Sequence, residues 1–88
     1  MKFDWNEEKR KVNLKKHGVD FDDALKVFKG FVKEDVDDRW DYNEIRVNLI
    51  RLVDSQVLVV TYTLRDSKHR IISARRANSR ERRKYYNG

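Results

Sequence analysis

Two adjacent arginines, Arg75 and Arg76, end a segment with the composition of a strand, residues 70–76, and are the strongest candidates for chemistry in this 88-residue sequence. In a β-strand, consecutive side chains point to opposite faces, so at most one of the two faces a given site while the other serves the opposite face or a partner. A guanidinium binds phosphate through paired hydrogen bonds and stabilises developing negative charge. We therefore expect one of them to be a transition-state cation. The alternative is that these arginines have no catalytic role and lie on the surface or form an ion pair with the acidic part of the chain.

Three other residues have side chains suited to the same chemistry. Tyr62 and Arg65 lie near the end of the preceding predicted strand, where we expect them to come within reach of the arginine pair. Tyr62 can stack a base or hydrogen-bond a phosphate, but a tyrosine in such a strand is as often a half-buried core residue. His17 carries an imidazole, which transfers protons near neutral pH. It also lies at a predicted helix end, where it can simply interact with the helix carbonyls.

The charge of the chain is unevenly distributed. Residues 1–44 carry 10 Lys/Arg and 12 Asp/Glu, whereas residues 45–88 carry 11 Lys/Arg and 3 Asp/Glu, so the two halves have net charges of −2 and +8. A strongly positive half rich in arginine attracts polyanions, which makes nucleic acid the first partner to consider. The alternative is a charged surface that only keeps a small domain in solution. Within the basic half, the residues we expect to bind nucleic acid are Arg70, Arg80, Arg83, Lys84 and Tyr85.

The residue content excludes several classes of site. Cysteine is absent, so disulfides, thiolate nucleophiles and sulfur-ligated zinc are excluded; this fits a reducing compartment, and we expect a cytoplasmic protein. No apolar run approaches the roughly 18 residues of a membrane helix, and the terminal helix lacks a broad apolar face, so we expect no membrane contact. The three glycines, at positions 18, 30 and 88, form no phosphate-binding loop. No His, Asp or Glu cluster has metal-ligand spacing, and we expect neither metal nor cofactor.

Two helices are predicted near the N-terminus. Asp4 and Glu7 have the spacing of a capping box, and good helix formers continue to His17, just before a glycine that can end the helix. Its apolar positions form a poor stripe, so much of this helix should face water. Asp20 is expected to cap the second helix, which should end at Gly30. Its apolar residues fall at helical spacing: Phe21, Ala24, Leu25 and Phe28.

The remainder predicts a sheet and a final helix. Phe31, Val32 and Val36 suggest a short strand, and the acidic run Glu34–Glu44 suggests its end plus a loop. Three further segments have the composition of strands: 45–53 and 57–63, which form a hairpin, and 70–76. Residues 57–60 are apolar on both faces and should be central. Asn78 begins a basic helix over 79–86. We therefore predict a single α+β domain over residues 1–88, with two N-terminal helices, an antiparallel sheet of three to four strands and a basic C-terminal helix.

Three blocks of the sequence together resemble the BrnT family. The first contains Trp5, Asn13, Lys16-His17-Gly18 and Phe21 and is similar to the family's N-terminal signature. The second is similar to its central strand, and the third to its closing I-S-A-R-[RK]-A and x-x-R-E-R motifs, with Asn78-Ser79 in place of a commoner Thr-bearing pair. The blocks are Phe3–Arg10 with Asn13–Phe21, Val57–Thr63, and Arg70–Ala77 with Arg80–Tyr86.

The resemblance implies a RelE-like fold and a ribonuclease toxin, with RNA as substrate. It also implies neutralisation by a separate DNA-binding antitoxin of the BrnA type, contact with operator DNA only through that antitoxin, and a toxin homodimer within a toxin–antitoxin heterotetramer. RNA cleavage without a metal uses the ribose 2′-hydroxyl as nucleophile, for which basic side chains suffice. The alternative function is a non-catalytic basic domain that binds nucleic acid, because charge alone does not distinguish binding from cleavage.

Overall fold

The computed structural model describes residues 1–29 and 44–88 in full and the backbone of residues 33–41. The predicted α+β class, with two N-terminal helices and one at the C-terminus, is confirmed. The helices are α1 (Glu7–His17), α2 (Phe21–Ala24), which continues as a 3₁₀ helix (Leu25–Phe28), and α3 (Ser79–Asn87). The strands are β1 (Phe3–Asp4), β2 (Lys33–Asp41), β3 (Glu44–Val53), β4 (Gln56–Arg65) and β5 (Lys68–Arg76).

The strands form one sheet in the order β1-β5-β4-β3-β2. Strands β2 to β5 are antiparallel neighbours, which agrees with the predicted upper count of four. The two-residue β1 was not predicted; it pairs in parallel with β5, placing Phe3 opposite His69 and Asp4 opposite Arg70. Strand β4 is central, as expected, because Val57–Val60 is buried on both faces.

The acidic run Glu34–Glu44 is mostly strand, so the predicted loop there is wrong. Strand β2 pairs with β3 in continuous register from Lys33 opposite Ile50 to Asp37 opposite Arg46. Its backbone hydrogen bonds with β3 outweigh the low intrinsic strand preference of aspartate. The predictions for Gly30, Phe31, Val32 and Tyr42 lie outside the described residues.

The start of α1 also differs from the prediction. Asn6, rather than Asp4, caps the helix, and its side chain accepts a hydrogen bond of 3.1 Å from the backbone N–H of Lys9. Asp4 remains extended because β1 pairs with β5. The predicted end is correct: Gly18 adopts a left-handed conformation with φ of 70°, and its N–H donates to the Leu14 carbonyl.

Tight turns set the register of the long strands. Asp54-Ser55 joins β3 to β4 and Asp66-Ser67 joins β4 to β5, and all four residues have positive φ. Two-residue turns of this kind match the twist of the strands they join. The predicted first turn extended to Gln56, which is instead the first residue of β4.

The sheet has a core on each face. The larger core lies under α2 and the 3₁₀ helix, and its buried residues include Phe21, Ala24, Val27, Leu49, Val60, Ile71 and Ala74. The smaller lies under α3, where Val57, Val59 and Ala77 are packed with Tyr85. Helix α1 buries only Asn13, which confirms that most of it faces water. Within the described ranges, no helix is long and apolar enough to cross a membrane.

Candidate active site

Arg75 and Arg76 point to opposite faces of β5, as their positions in the strand predict. On the α3 side, Arg75 donates from Nη1 and Nη2 to the two carboxylate oxygens of Glu81, at 2.7 and 2.9 Å. These hydrogen bonds raise the pKa of Arg75 and lower the pKa of Glu81. On the other face, Nη2 of Arg76 lies beside the end of α1, 3.5 Å from where a methyl group on Gly18 would sit. Arg75 therefore anchors α3, and Arg76 is the exposed member of the pair.

Arg76 approaches the end of α1 at Gly18, the residue that follows three basic side chains. The last turn of that helix contains Lys15, Lys16 and His17. We name this cluster the α1–β5 corner and define it as Lys15, Lys16, His17 and Arg76. Among the described residues, no carboxylate pairs with either lysine or with Arg76. The carbonyl end of a helix also favours positive charge. The helix carbonyls therefore offset part of the positive charge of the corner, and among the described residues no carboxylate offsets the rest, so the corner can attract an anion.

A groove with a volume of about 330 Å³ runs between α1 and β5 and opens beside this corner. We name it the α1–β5 groove. Two residues line it from the strand, Ile72 and Ser73. The residues that line it from the helix are Glu8, Lys9, Val12, Asn13, Lys16 and His17. His17 is half-buried, which holds its imidazole at the groove rather than free in solvent. Of the candidates predicted from the sequence, His17 lines the groove, and Arg76 approaches Gly18, the next residue along the chain.

Asn13 fixes α1 on β5 and was not identified as a site residue from the sequence. Its buried side-chain amide donates to the Ala74 carbonyl at 2.8 Å and the Val19 carbonyl at 3.0 Å, and accepts from the Ala74 N–H at 3.2 Å. These contacts set how far His17 lies from the end of β5. The signal in the sequence is a polar residue between exposed Val12 and Leu14, and an ordinary solvated helix gives the same pattern.

Tyr62 lies away from the corner, so the expected reach between Tyr62 and the arginine pair is wrong. Strand β5 is antiparallel to β4, so its last residues meet the beginning of β4, where Arg75 pairs with Val59. Tyr62 pairs with Ile71 instead, about 10 Å further along β4 at the usual strand rise. Its ring is buried, and the centroid of the ring lies 5.3 Å from that of Phe28 and 5.0 Å from that of His69.

Arg65 and Arg70 lie at the same distant end of the sheet, and both face carboxylates. Arg65 forms an ion pair with Glu44, which raises the pKa of Arg65. Arg70 pairs with Asp4 at 3.3 Å, across the contact between β1 and β5. Both arginines are therefore neutralised in part by neighbouring strands, and Arg65 is not brought to the α1–β5 corner.

Helix α3 separates its docking face from its basic face. The predicted capping box is present: the Asn78 side chain accepts from the Glu81 N–H, and the Glu81 side chain accepts from the Asn78 N–H. Tyr85 packs on the smaller core, and its hydroxyl accepts a hydrogen bond from the Leu52 N–H at 3.2 Å. The other predicted nucleic-acid contacts on this helix, Arg80, Arg83 and Lys84, are exposed to solvent.

No group of three or more His, Asp or Glu side chains within the described residues is arranged to hold a metal ion. The candidate groups on the described surface are the α1–β5 corner, the groove beside it and the basic face of α3. Together they offer cations, one imidazole and a recess. Such a set can bind a phosphodiester, stabilise added negative charge on it and transfer a proton.

Residues 5–81 match a protein family described as ribonuclease toxin, BrnT, of type II toxin–antitoxin systems. No curated protein matches the chain. The match to the family covers most of the sequence and includes the whole α1–β5 corner, the groove and Asn13, and it stops before Lys84 and Tyr85. The chain therefore belongs to the BrnT family of ribonuclease toxins of type II toxin–antitoxin systems.

Proposed function

We propose that this chain is a metal-independent endoribonuclease whose active site is the α1–β5 corner, and that an antitoxin of the BrnA type neutralises it. Family membership supports a ribonuclease toxin with an antitoxin partner. The observation that supports the position of the site is the approach of the Arg76 guanidinium to Gly18, the residue after His17. A phosphate held there would contact a fixed cation and an imidazole together.

The reaction we propose uses the substrate's own ribose as nucleophile. The 2′-oxygen attacks the adjacent phosphorus, the bond from phosphorus to the 5′-oxygen breaks, and the products carry a 2′,3′-cyclic phosphate and a 5′-hydroxyl. His17 accepts the proton of the 2′-hydroxyl, and the leaving 5′-oxygen takes a proton from solvent. Arg76 and Lys16 stabilise the charge that builds up on the phosphoryl oxygens in the transition state.

Arg76 is a better candidate for the transition-state cation than Arg75. Both guanidinium nitrogens of Arg75 that face α3 are taken by Glu81, so a phosphate there would have to displace a bidentate carboxylate. Arg76 is exposed and has no carboxylate partner among the described residues. Catalytic roles for Tyr62 and Arg65 stay predictions from the sequence. For the rest of the RNA strand, we propose phosphate contacts with Arg80, Arg83 and Lys84 and with Arg70 at the other end of β5. Base stacking at Tyr85 stays a prediction from the sequence, because its ring packs on the smaller core.

The antitoxin, on this proposal, covers the half of the chain with a net charge of +8. An inhibitor that blocks RNA has to compete for the cations that RNA uses, and acidic side chains are the simplest way to do so. Contact with operator DNA is then made by the antitoxin. The basic surface that binds RNA is covered in the complex.

The test of the catalytic proposal is cleavage of a defined RNA by purified protein in EDTA, beside the same RNA with a single 2′-deoxy residue at the scissile position. We expect cleavage in EDTA, products with 2′,3′-cyclic phosphate ends, and no cleavage at the deoxy position. Loss of cleavage in EDTA, or equal cleavage at the deoxy position, would contradict the mechanism. Binding of both RNAs without cleavage of either would favour a non-catalytic nucleic-acid-binding domain.

A companion test in cells uses induction of this chain alone in a bacterium. The native chain should arrest growth, and the His17→Ala and Arg76→Ala variants should grow at equal expression. Normal growth with the folded native chain would rule out the toxin.

A further inference from the structure

The α1–β5 groove has walls of two kinds. Two apolar side chains line it: Val12 on α1, which is 63% exposed, and Ile72 on β5, which is half-buried. The charged and ionisable residues on the helix side are Lys9, Lys16 and His17, with one carboxylate, Glu8. A volume of about 330 Å³ falls at the low end of the range for sites that hold small ligands. The groove therefore fits a single small group that is partly apolar and partly anionic.

A nucleotide has this combination of properties. Its base is flat and packs against apolar side chains, and its phosphate requires cations. We infer that the α1–β5 groove binds one nucleotide of the RNA, with its base between Val12 and Ile72 and its phosphate towards Lys16 and the α1–β5 corner. This inference rests on the proposed function, because it places the bound nucleotide next to the phosphate that is cleaved.

Ser73 supplies a contact that can distinguish one base from another. It lines the groove from β5, and its hydroxyl makes no hydrogen bond to any other described residue. A hydroxyl can donate to or accept from the edge of a base. The groove thus combines apolar contact, which holds any base, with one polar group that favours some bases over others.

The size and charge of the groove favour a nucleotide over a partner protein as its occupant. A stable protein–protein interface buries about 1,200–2,000 Å² in total, which requires a surface much larger than this recess. Lys9 and Lys16 line the groove without a carboxylate partner among the residues described, and they outnumber its one carboxylate, Glu8, so the groove attracts an anionic ligand. A nucleotide satisfies both conditions.

The experiment compares two substitutions on the same helix. Val12→Asp places a negative charge in the groove, whereas Leu14→Asp places the same charge on an exposed position of α1 that does not line it. Binding is measured by fluorescence anisotropy with a short 2′-O-methyl oligonucleotide, which cannot be cleaved by the proposed reaction. We expect Val12→Asp to weaken binding at least about tenfold and Leu14→Asp to leave it nearly unchanged, since one stacked base contributes about 1–3 kcal/mol.

Equal affinities of the two aspartate variants would overturn the inference. Unchanged oligonucleotide binding by Val12→Asp, together with loss of antitoxin binding, would overturn it in favour of a protein contact. The Ser73→Ala variant, tested with the four homopolymeric oligonucleotides, should narrow the differences in affinity among bases. Because the probe is not a substrate, a failure of catalysis and a failure of this groove to bind a nucleotide give different results.

Discussion

The side-chain amide of Asn13 hydrogen-bonds both backbone groups of Ala74, donating to its carbonyl and accepting from its N–H. This is the pairing that a neighbouring strand would supply. Strand β1 pairs with β5 only at His69 and Arg70, so none of the described strands lies beside the edge of β5 beyond that point. One amide from α1 takes the place of the missing strand and joins the helix to the sheet.

Asn13→Ala should lower the free energy of unfolding by about 2–3 kcal/mol, because it leaves buried backbone groups of Ala74 and Val19 without partners. Urea denaturation followed by circular dichroism measures the change. Lys11→Ala, on an exposed position of the same helix, is the control and should change stability little. A loss below about 0.5 kcal/mol for Asn13→Ala would show that other contacts hold α1 in place.

Arg76→Ala should slow catalysis without lowering stability, whereas Arg75→Ala should lower stability with little effect on catalysis. Removal of a transition-state cation typically slows a reaction by about 10²–10³-fold, and we expect this for Arg76→Ala with an unchanged melting temperature. Arg75→Ala should keep most of its activity and lose about 0.5–1 kcal/mol of stability, since its ion pair with Glu81 is partly exposed to solvent. Single-turnover cleavage and thermal melting measure the two quantities. A slower reaction for Arg75→Ala than for Arg76→Ala would reverse the assignment.

The Glu81→Gln substitution should destabilise the protein in a way that depends on pH. The hydrogen bonds from Arg75 lower the pKa of Glu81 in the folded state. A lowered carboxyl pKa gives stability that is complete above the unfolded value, about 4.3, and is lost as the pH falls through the folded value. Glutamine keeps one acceptor oxygen for the capping box, and it removes the charge together with the second oxygen, which accepts from Arg75 Nη2.

The melting temperatures of native protein and Glu81→Gln should therefore differ at pH 7 and converge below about pH 4. The Arg75→Ala background serves as control, because there the substitution should matter less at neutral pH. A constant difference between the two melting temperatures across this range would show that the charge of Glu81 does not stabilise α3.

The salt dependence of RNA binding should report the basic face of α3. Each phosphate contact to a single strand contributes a slope of about −0.7 in log affinity against log salt. Arg80→Ala and Arg83→Ala should each reduce the slope by about this amount, while Lys11→Ala, on α1, should not. Filter-retention binding assays at several salt concentrations measure this slope. Affinity that does not change with salt would contradict the electrostatic account.

Binding of the antitoxin should protect the toxin and exclude RNA at once. A partner at a thousand times its dissociation constant stabilises the folded state by about 4 kcal/mol, so the melting temperature should rise in the complex. Exchange of both Arg75 and Arg76 for alanine should weaken RNA cleavage and antitoxin binding together, with circular dichroism confirming the fold. Full cleavage by the double variant would remove these arginines from the mechanism, and unchanged antitoxin affinity would place the partner on another surface.

Local signals in the sequence predicted much of the fold. The capping box of Asn78 and Glu81, the left-handed Gly18 and the doubly apolar run Val57–Val60 each depend on neighbours a few residues away, and each is correct. The opposite orientations of Arg75 and Arg76 follow from strand alternation alone.

The features that were missed depend on contacts between distant parts of the chain. Strand β1 exists because two residues pair with β5, more than 60 positions away in the sequence. The role of Asn13 depends in the same way on its hydrogen bonds to Ala74, which the sequence of the helix does not reveal. The register between β4 and β5 decided that Tyr62 lies far from the arginine pair, and no short-range pattern specifies it. The approach of Arg76 to Gly18, the residue after His17, could not be predicted for the same reason.

Strand β2 forms one outer edge of the sheet, and five of its nine residues are acidic while two are basic. An open strand edge is a template for pairing with another molecule, and like charges brought face to face oppose such pairing. Two copies joined along β2 would bring their acidic runs together, so the negative half of the sequence protects against fibre-like growth of the sheet. The acidic residues of the sequence are thus concentrated on an edge strand of the sheet, and most cations of the second half lie in the region that we propose binds RNA.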